Sequence, residues 1–550
     1  MRVLSCVLSC ALLAALAVGC AAAQGPKREL SKRWLFVWQD MTDPAEVDRT
    51  IALFPRAKAA GYNACLFEYN VAPSKVAALN EASKKYGIDL IPIVMGGAHD
   101  GNFTEGVPAK DVLFVAQGGV ARHVPDPAIA VPGGDFENVS GNRFNDWSFQ
   151  DNEGKSIFAD HEVAHGGNTS ARMENAGANH PAGNCRFSQP LKLHPFRQYR
   201  LSFWVKTENL SPASAEVKVL TPDSERFVSF GTFRVRPTQD WRHYDIVFST
   251  LRNSDVMLYL GLWGGRTGKI WWDDLTLQEV GLVNVVRRAG CPVTVRSENG
   301  VTYEEGRDYE YISDPTLHIW QQYHEPPDIK LTSQTRIKDG KRLRVTYYHP
   351  VIVYDGRLTS CLSEPEIFKW WREEIKQAND RFHPPAFMMS HDELRVINWC
   401  ETCQSRNMTP GQILADNVHR AAQIIRDLRP DAEIWVWNDM FDPMQNAVDD
   451  YYMCNGTLKG SWEGLDPGIG IVTWVNIQDG ANSKFFAERG NKQVLAGYYD
   501  GDDDGADIAK WLKDTEGIPG IVGAMYTTWE NKYQAMEAWA EKAWGNRGGG

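Results

Sequence analysis

The residues best placed to do chemistry are two adjacent carboxylates, Asp392 and Glu393. They end the run Ala386-Phe-Met-Met-Ser-His-Asp-Glu393. A parallel strand covered on both faces reads as a continuous apolar run. Enzymes built on a closed β/α barrel keep their reacting groups at the carboxyl ends of such strands. An isolated Asp-Glu more often opens a loop or caps a helix, so the neighbours decide between the two readings.

Seven further apolar runs end in the same kind of side chain. They deliver Trp38, Gln39 and Asp40; Glu68; His99 and Asp100; Trp437, Asn438 and Asp439; Trp474 and Asn476; Tyr498, Tyr499 and Asp500; and Trp529 with Glu530, while His391 precedes the Asp-Glu pair. Carboxylates and amides bind hydroxyl groups, and aromatic rings stack on the C–H faces of sugars. The set is therefore that of a sugar pocket. No glycine-rich phosphate loop is present, and no Gly-x-Ser-x-Gly elbow supports a nucleophilic serine. His99 and His391 fit no metal-binding spacing, so no cofactor is expected for catalysis.

The elements that must position these residues alternate between strand and helix. Strands are predicted at Trp34–Trp38, 64–67 and 90–95. Asp43-Pro44 opens the first helix as cap and first residue, and Gly87 closes a second over 74–86. From about 105 to 355 the alternation stops. Polar and apolar residues there take turns as in half-buried antiparallel strands, at 201–206, 227–235, 244–248 and 256–262. It resumes with Ser363-Glu-Pro-Glu366, read as a capping box, a helix over 364–381, and strands at 386–389, 434–437, 469–474, 493–498 and 520–526. Three strands before the insertion and five after it make eight, the number a closed (β/α)8 barrel needs. The predicted fold class is α/β, a TIM barrel carrying an all-β insertion after its third strand. Its expected parts are barrel at 33–104 and 360–545, a β-sandwich at 120–281 and a smaller β segment at 282–355.

Composition agrees with an exported globular protein. The net charge of −12 argues against nucleic acid as a partner. Residues 1–20 read as a secretory leader with a short apolar stretch. Ala17-Val18-Gly19-Cys20 resembles a lipoprotein cleavage box, making Cys20 a lipid anchor and the only expected membrane attachment. Export permits disulfides. Cys400-Glu-Thr-Cys403 lacks a second Cys-x-x-Cys or a following His pair, so zinc is disfavoured there against a disulfide or plain thiols.

Most glycosidases work with two separated carboxylates. Here the fourth strand ends in an adjacent pair, and the seventh supplies no Glu. That suits substrate-assisted hydrolysis, in which the sugar's own 2-acetamido oxygen attacks C1. His391-Asp392-Glu393, Trp437-Asn438-Asp439, Tyr498 or Tyr499, and Trp529 resemble the family 20 β-N-acetylhexosaminidases and, in the Asp-Glu pair, the family 123 β-N-acetylgalactosaminidases. The resemblance implies Glu393 as general acid, Asp392 orienting the acetamide, a seventh-strand Tyr bonding its carbonyl, and Trp437 and Trp529 as walls. The glycines that usually precede the pair are absent, and Trp38-Gln39-Asp40 stands where the family keeps an Arg. Gly134–Asn138, Tyr199–Lys206 and Ile270–Asp274 resemble strands of a carbohydrate-binding jelly roll, which implies a structural calcium at Glu137 and Asp274. The expected partner is an oligosaccharide or glycoconjugate. Two alternatives stay open: a barrel glycosidase for a sugar without an acetamide, and a non-catalytic glycan-binding lipoprotein.

Overall fold

Eight parallel strands close into a barrel in the computed structural model, which describes residues 29–96, 103–314, 322–353 and 356–545. The strands are β1 (Lys32–Val37), β2 (Ala64–Glu68), β3 (Asp89–Val94), β4 (Ala386–Met389), β5 (Glu433–Trp437), β6 (Ile469–Trp474), β7 (Gln493–Ala496) and β8 (Ile521–Tyr526). Each pairs with the next, and β8 closes onto β1 through Trp34 opposite Met525. The expected leader with Cys20, and His99 with Asp100, lie outside the described residues. Among the described residues no helix is long and apolar enough to cross a membrane.

Among the described residues, seven helices of eight residues or more accompany the strands: α1 (Pro44–Ala59), α2 (Val76–Tyr86), α3 (Pro365–Phe382), α4 (Pro410–Leu428), α5 (Ala481–Glu488), α6 (Ala506–Asp514) and α7 (Met536–Trp544). The expected helix after every strand is not fully met. Between β5 and β6 the chain makes only 3-10 turns, at Asp439–Phe441 and Ser461–Gly464. Asp43 caps α1 by accepting from the Ala45 amide, and Gly87 ends α2 in the left-handed region at φ 61°. The capping box expected at Ser363 does not form. Glu364 is the cap of α3 without a side-chain bond, and Ser363 Oγ instead accepts from Arg406. The box forms on α4, where Thr409 and Gln412 bond each other's backbone.

The barrel strands follow a two-residue parity. Trp34, Phe36, Leu66, Ile91, Ile93, Ala386, Met388, Trp435, Trp437, Val472, Val494, Ala496 and Met525 fill the interior. Their alternates, among them Leu35, Val37, Phe387, Ile434, Val436, Ile471 and Leu495, pack outward on the helices. Gly470 leaves room inside: a Cβ there would stand within the Trp435 indole.

The insertion leaves after β3 and returns before α3. Its larger part is two five-stranded antiparallel sheets. One is built around Gln198–Ser211 and Thr267–Val280, the other around Ser214–Leu220 and Asp255–Leu262. They face each other over Phe187, Phe203, Leu258 and Trp272. A separate six-stranded sheet joins Val107–Gln117 and Val120–His123 to strands from Thr294 to His349. Residues 120–123 thus belong to the smaller sheet, not to the sandwich in which they were expected. Val120–His123 is a short hairpin partner of the strand just before it, and adjacent antiparallel strands pair locally.

Candidate active site at the barrel mouth

A cavity of about 680 Å³ opens at the carboxyl ends of β1 and β4 to β8. It is lined by Trp38, Trp437, Trp474 and Trp529, by Asp392, Glu393 and Asp439, and by Tyr498. A second cavity of about 540 Å³ adjoins it across Trp38 and holds Gln39, Asp40, Glu68 and Ser390. The four indoles form a chain of edge contacts. Ring centres stand 5.1 Å apart from Trp38 to Trp529, 5.9 Å from Trp529 to Trp474 and 5.9 Å from Trp474 to Trp437.

Strand parity explains which predicted residues arrive there. Counting in twos from the interior residues, Trp38, Glu68, Asp392, Asp439, Trp474, Tyr498 and Trp529 all fall on the inward side. His391 and Tyr499 fall on the outward side. His391 is 1% exposed, its Nε2 bonds Asn417 of α4 at 3.0 Å, and burial holds its pKa down at about 4. Tyr499 is 3% exposed beside Tyr526 and Trp539, whereas Tyr498 is 49% exposed. Neither His391 nor Tyr499 reaches the cavity, which corrects their assignment to substrate. Tyr498 donates to Glu530 Oε1 at 3.2 Å; Glu530 itself stands at the rim, paired with Lys532. Asp40 is exposed and ties down its own turn by accepting from the amide and hydroxyl of Thr42.

The carboxylates differ in what surrounds them. Asp392 accepts from Ser390 Oγ at 2.6 Å. Asp439 is buried, and burial first, then the charge of Asp392, pushes its pKa well above the carboxylate range. Its Oδ2 accepts from the Glu393 amide at 3.2 Å and from Asn446 Nδ2 at 3.0 Å, while Oδ1 has no hydrogen-bond partner among the described residues. Burial and then Asp392 also raise Glu68, to about 7. Glu393 sits in the left-handed region at φ 52° and is gripped by two guanidiniums, Arg357 and, at 2.9 Å, Arg395. Asp500 is buried under the β8 loop, taking the Thr528 hydroxyl and the amides of Trp529 and Glu530. Its work is to shape the loop that carries Trp529.

The loops add residues that no strand-end pattern announces: Arg357, Arg395, Gln445, Asn446, Tyr451 and Tyr452. The sandwich packs against the last of these loops, at Asp450 and Tyr452. Phe227 stacks on Tyr452 with ring centres 4.9 Å apart, and Arg226 pairs with Asp450 at 2.8 Å.

At the edge of the sandwich, Glu137 Oε1 accepts from the amides of Asn168 and Thr169. Asp274 bonds His165 Nδ1 at 2.6 Å. Both expected calcium ligands are thus engaged with the 165–169 loop. On the outward face of the same sheet the His165 and Trp204 rings lie 3.9 Å apart, and Trp241 stands 5.6 Å from His165.

Residues 131–269 match the family model described as a carbohydrate binding domain. The chain therefore carries such a domain within its insertion. No curated protein matches the chain. Among solved structures, a family 16 carbohydrate binding module is 21% identical, with 27% of this chain and 97% of that chain covered and a TM-score of 0.21. The CBM22-1 xylan-binding domain of Paenibacillus barcinonensis Xyn10C is 16% identical, with 28% and 96% covered and a TM-score of 0.20. A third, TmCBM61 in complex with beta-1,4-galactotriose, is 18% identical, with 27% and 96% covered and a TM-score of 0.21.

Proposed function

We propose that this chain is an exported glycoside hydrolase that cleaves a terminal sugar in the barrel mouth and engages the rest of the glycan through its sandwich. One observation carries the reading: a tryptophan-walled cavity is lined by both Asp392 and Asp439, and burial raises the pKa of Asp439. Pairs of carboxyls whose surroundings drive their protonation apart are the usual equipment for splitting acid and base roles.

In this reading Asp439 is the general acid, in place of Glu393. Glu393 is committed to ion pairs with Arg357 and Arg395, whereas burial raises the pKa of Asp439 and so favours its protonated form. For a 2-acetamido sugar, Asp392 would accept the acetamide N–H while the acetamide oxygen bonds to C1. The C1–O bond to the leaving group breaks, and its oxygen takes the Asp439 proton. Water then opens the cyclic cation, giving its proton back to Asp439. Tyr498 stands at the cavity edge, where its hydroxyl would turn from Glu530 to bond the acetamide carbonyl. Glu393 acts as the anchor for Arg357 and the buried Arg395, which both line the cavity.

The test is a panel of aryl glycosides, gluco and galacto, each with and without the 2-acetamido group, against wild type and Asp439→Asn. Hydrolysis of one acetamido member that disappears in the variant supports the proposal. Hydrolysis of a sugar lacking the acetamide, at equal rate, moves the chemistry to a protein nucleophile. A second reading, a glycan-binding protein without catalysis, is favoured by the carbohydrate binding domain and by the ion-paired state of Glu393. It predicts glycan binding and no turnover on any member of the panel.

A further inference from the structure

Behind the wall of the mouth, three cysteines and a glutamate from distant parts of the chain meet in a buried cluster. Cys361 Sγ stands 3.5 Å from Cys400 Sγ and 3.5 Å from Cys403 Sγ. Glu105 Oε2 is 3.6 Å from both Cys400 Sγ and Cys403 Sγ. All four ligand atoms lie within 4.8 Å of one another, and all four residues are buried. No pair is bonded as a disulfide; all seven described cysteines are free.

We propose that Glu105, Cys361, Cys400 and Cys403 form a structural zinc site. Zinc binds thiolate sulfur at about 2.3 Å and carboxylate oxygen at about 2.0–2.2 Å in a tetrahedron. Ligands on such a tetrahedron stand about 3.8 Å apart for two sulfurs and about 3.5 Å for sulfur and oxygen. The observed separations lie close to both. Cys400 and Cys403 also have the two-residue spacing common at zinc sites, with Cys400 capping the short helix Glu401–Gln404.

The surroundings fit a structural ion. Glu105 is oriented by its other oxygen, which accepts from the amides of Trp399 at 2.7 Å and Cys400 at 2.8 Å. Three thiolates and a carboxylate leave an excess of negative charge around one divalent ion, and Arg288, 4.0 Å from Glu105, lies on that side. Arg288 is held by the Thr104 carbonyl and Glu364. Cys291 is a further buried free thiol that lies outside this set of four. The site ties together three places: Glu105 where the insertion departs, Cys361 where it returns, and Cys400–Cys403 at the end of the loop that begins with Asp392 and Glu393. Zinc there would fix the insertion and the catalytic loop to one point.

The experiment uses the full chain purified without added metal, with zinc measured by mass spectrometry of the elements. One zinc per chain is expected, released as three thiols are titrated with a mercurial reagent. Cobalt exchanged for zinc should show tetrahedral visible bands and thiolate charge transfer of three-sulfur intensity. Cys403→Ser and Glu105→Gln should weaken competition with a chelator by at least about a hundredfold, since even outer-shell losses cost 10–100-fold, whereas Cys291→Ser should retain the metal. If Cys403→Ser does not fold, the wild-type titration and the cobalt spectrum still decide. A metal-free native chain, a disulfide among these cysteines, or loss of zinc in Cys291→Ser with four-sulfur cobalt intensity would overturn the assignment.

Discussion

The backbone amide of Glu393 donates to the side chain of Asp439, at 3.2 Å. Glu393 makes this bond from the left-handed region, at φ 52°, which a non-glycine residue enters at a cost. The strand-end pair and the fifth-strand carboxyl are therefore one unit: the turn that aims the Glu393 side chain at Arg357 and Arg395 also aims its N–H at Asp439. Asp439→Asn is expected to lower turnover by roughly two to four orders of magnitude, the usual range for acid catalysis. Glu393→Gln should cost less, because its charge serves the arginines and its amide is retained. Steady-state kinetics on a substrate with a poor leaving group would check the order. A larger loss in Glu393→Gln would return the acid role to that residue.

The pH profile follows from the same burial. In the proposed mechanism Asp439 must hold its proton to act, and burial with Asp392 raises its pKa, so kcat should fall as pH rises through that elevated value. In Asp439→Asn the alkaline limb should vanish along with most of the rate. A limb that survives in the variant would belong to another group.

Glu68 makes a stability prediction. Its folded pKa of about 7 lies above the ordinary 4.5. A raised folded pKa means that the folded state binds the proton more tightly. The favourable contribution is complete below about 4.5 and is lost as pH rises through about 7. The span amounts to at most about 3 kcal/mol. Glu68→Gln should therefore stabilise the protein relative to wild type more at pH 8 than at pH 5, read by denaturant melts at both. Equal offsets at the two pH values would remove the claim.

Strand parity also marks how far the site was legible in the sequence. Apolar runs locate all eight strands, and counting in twos from Trp34, Met388 or Val494 sorts Trp38, Asp392 and Tyr498 from His391 and Tyr499. The strand-end clusters alone do not separate the two faces, so His391 and Tyr499 stand in them beside the inward residues. Arg357, Arg395, Tyr451 and Tyr452 carried no signal, because loops have no period, and Tyr452 takes its place against Phe227 of the sandwich. The cysteine cluster was hidden for a related reason. Local spacing reveals a zinc site only when the ligands are close in the chain, and here positions 105, 361 and 400–403 meet only in the fold. Ser363 illustrates the opposite error: a cap motif was present, but Arg406 took its hydroxyl.

Gly470 tests the barrel interior. Its missing side chain is the space occupied by the Trp435 indole, which in turn packs edge-on against Trp34 with ring centres 4.9 Å apart. Gly470→Ala should force the indole to shift and destabilise the protein by about 1–3 kcal/mol, the range for overpacked cores. Pairing it with Trp435→Phe should recover part of the loss. Additive destabilisation in the double variant, measured by chemical unfolding, would show that the two residues do not share that space.

The sandwich presents its own aromatic surface. In the strand Gln198–Ser211, Leu201, Phe203 and Val205 point into the core, so Trp204 points outward by parity. There it meets His165, and Trp241 stands against the same imidazole. Asp274 fixes His165 from the far side at 2.6 Å, which keeps the cluster preorganised. Aromatic rings so placed suit the C–H face of a sugar, and aromatic contacts are worth about 0.5–1.5 kcal/mol beyond the area they bury. Trp204→Ala or Trp241→Ala is therefore expected to weaken retention on an immobilised polysaccharide by up to roughly tenfold, since about 1.4 kcal/mol is a factor of ten. Hydrolysis of a small aryl glycoside, which fills only the barrel mouth, should be unchanged in both variants. Affinity electrophoresis beside a kinetic assay separates the two effects. Undiminished retention in both variants would place glycan binding on another face of the domain. Loss of small-substrate turnover would mean that the cluster acts through the barrel loops that the sandwich supports.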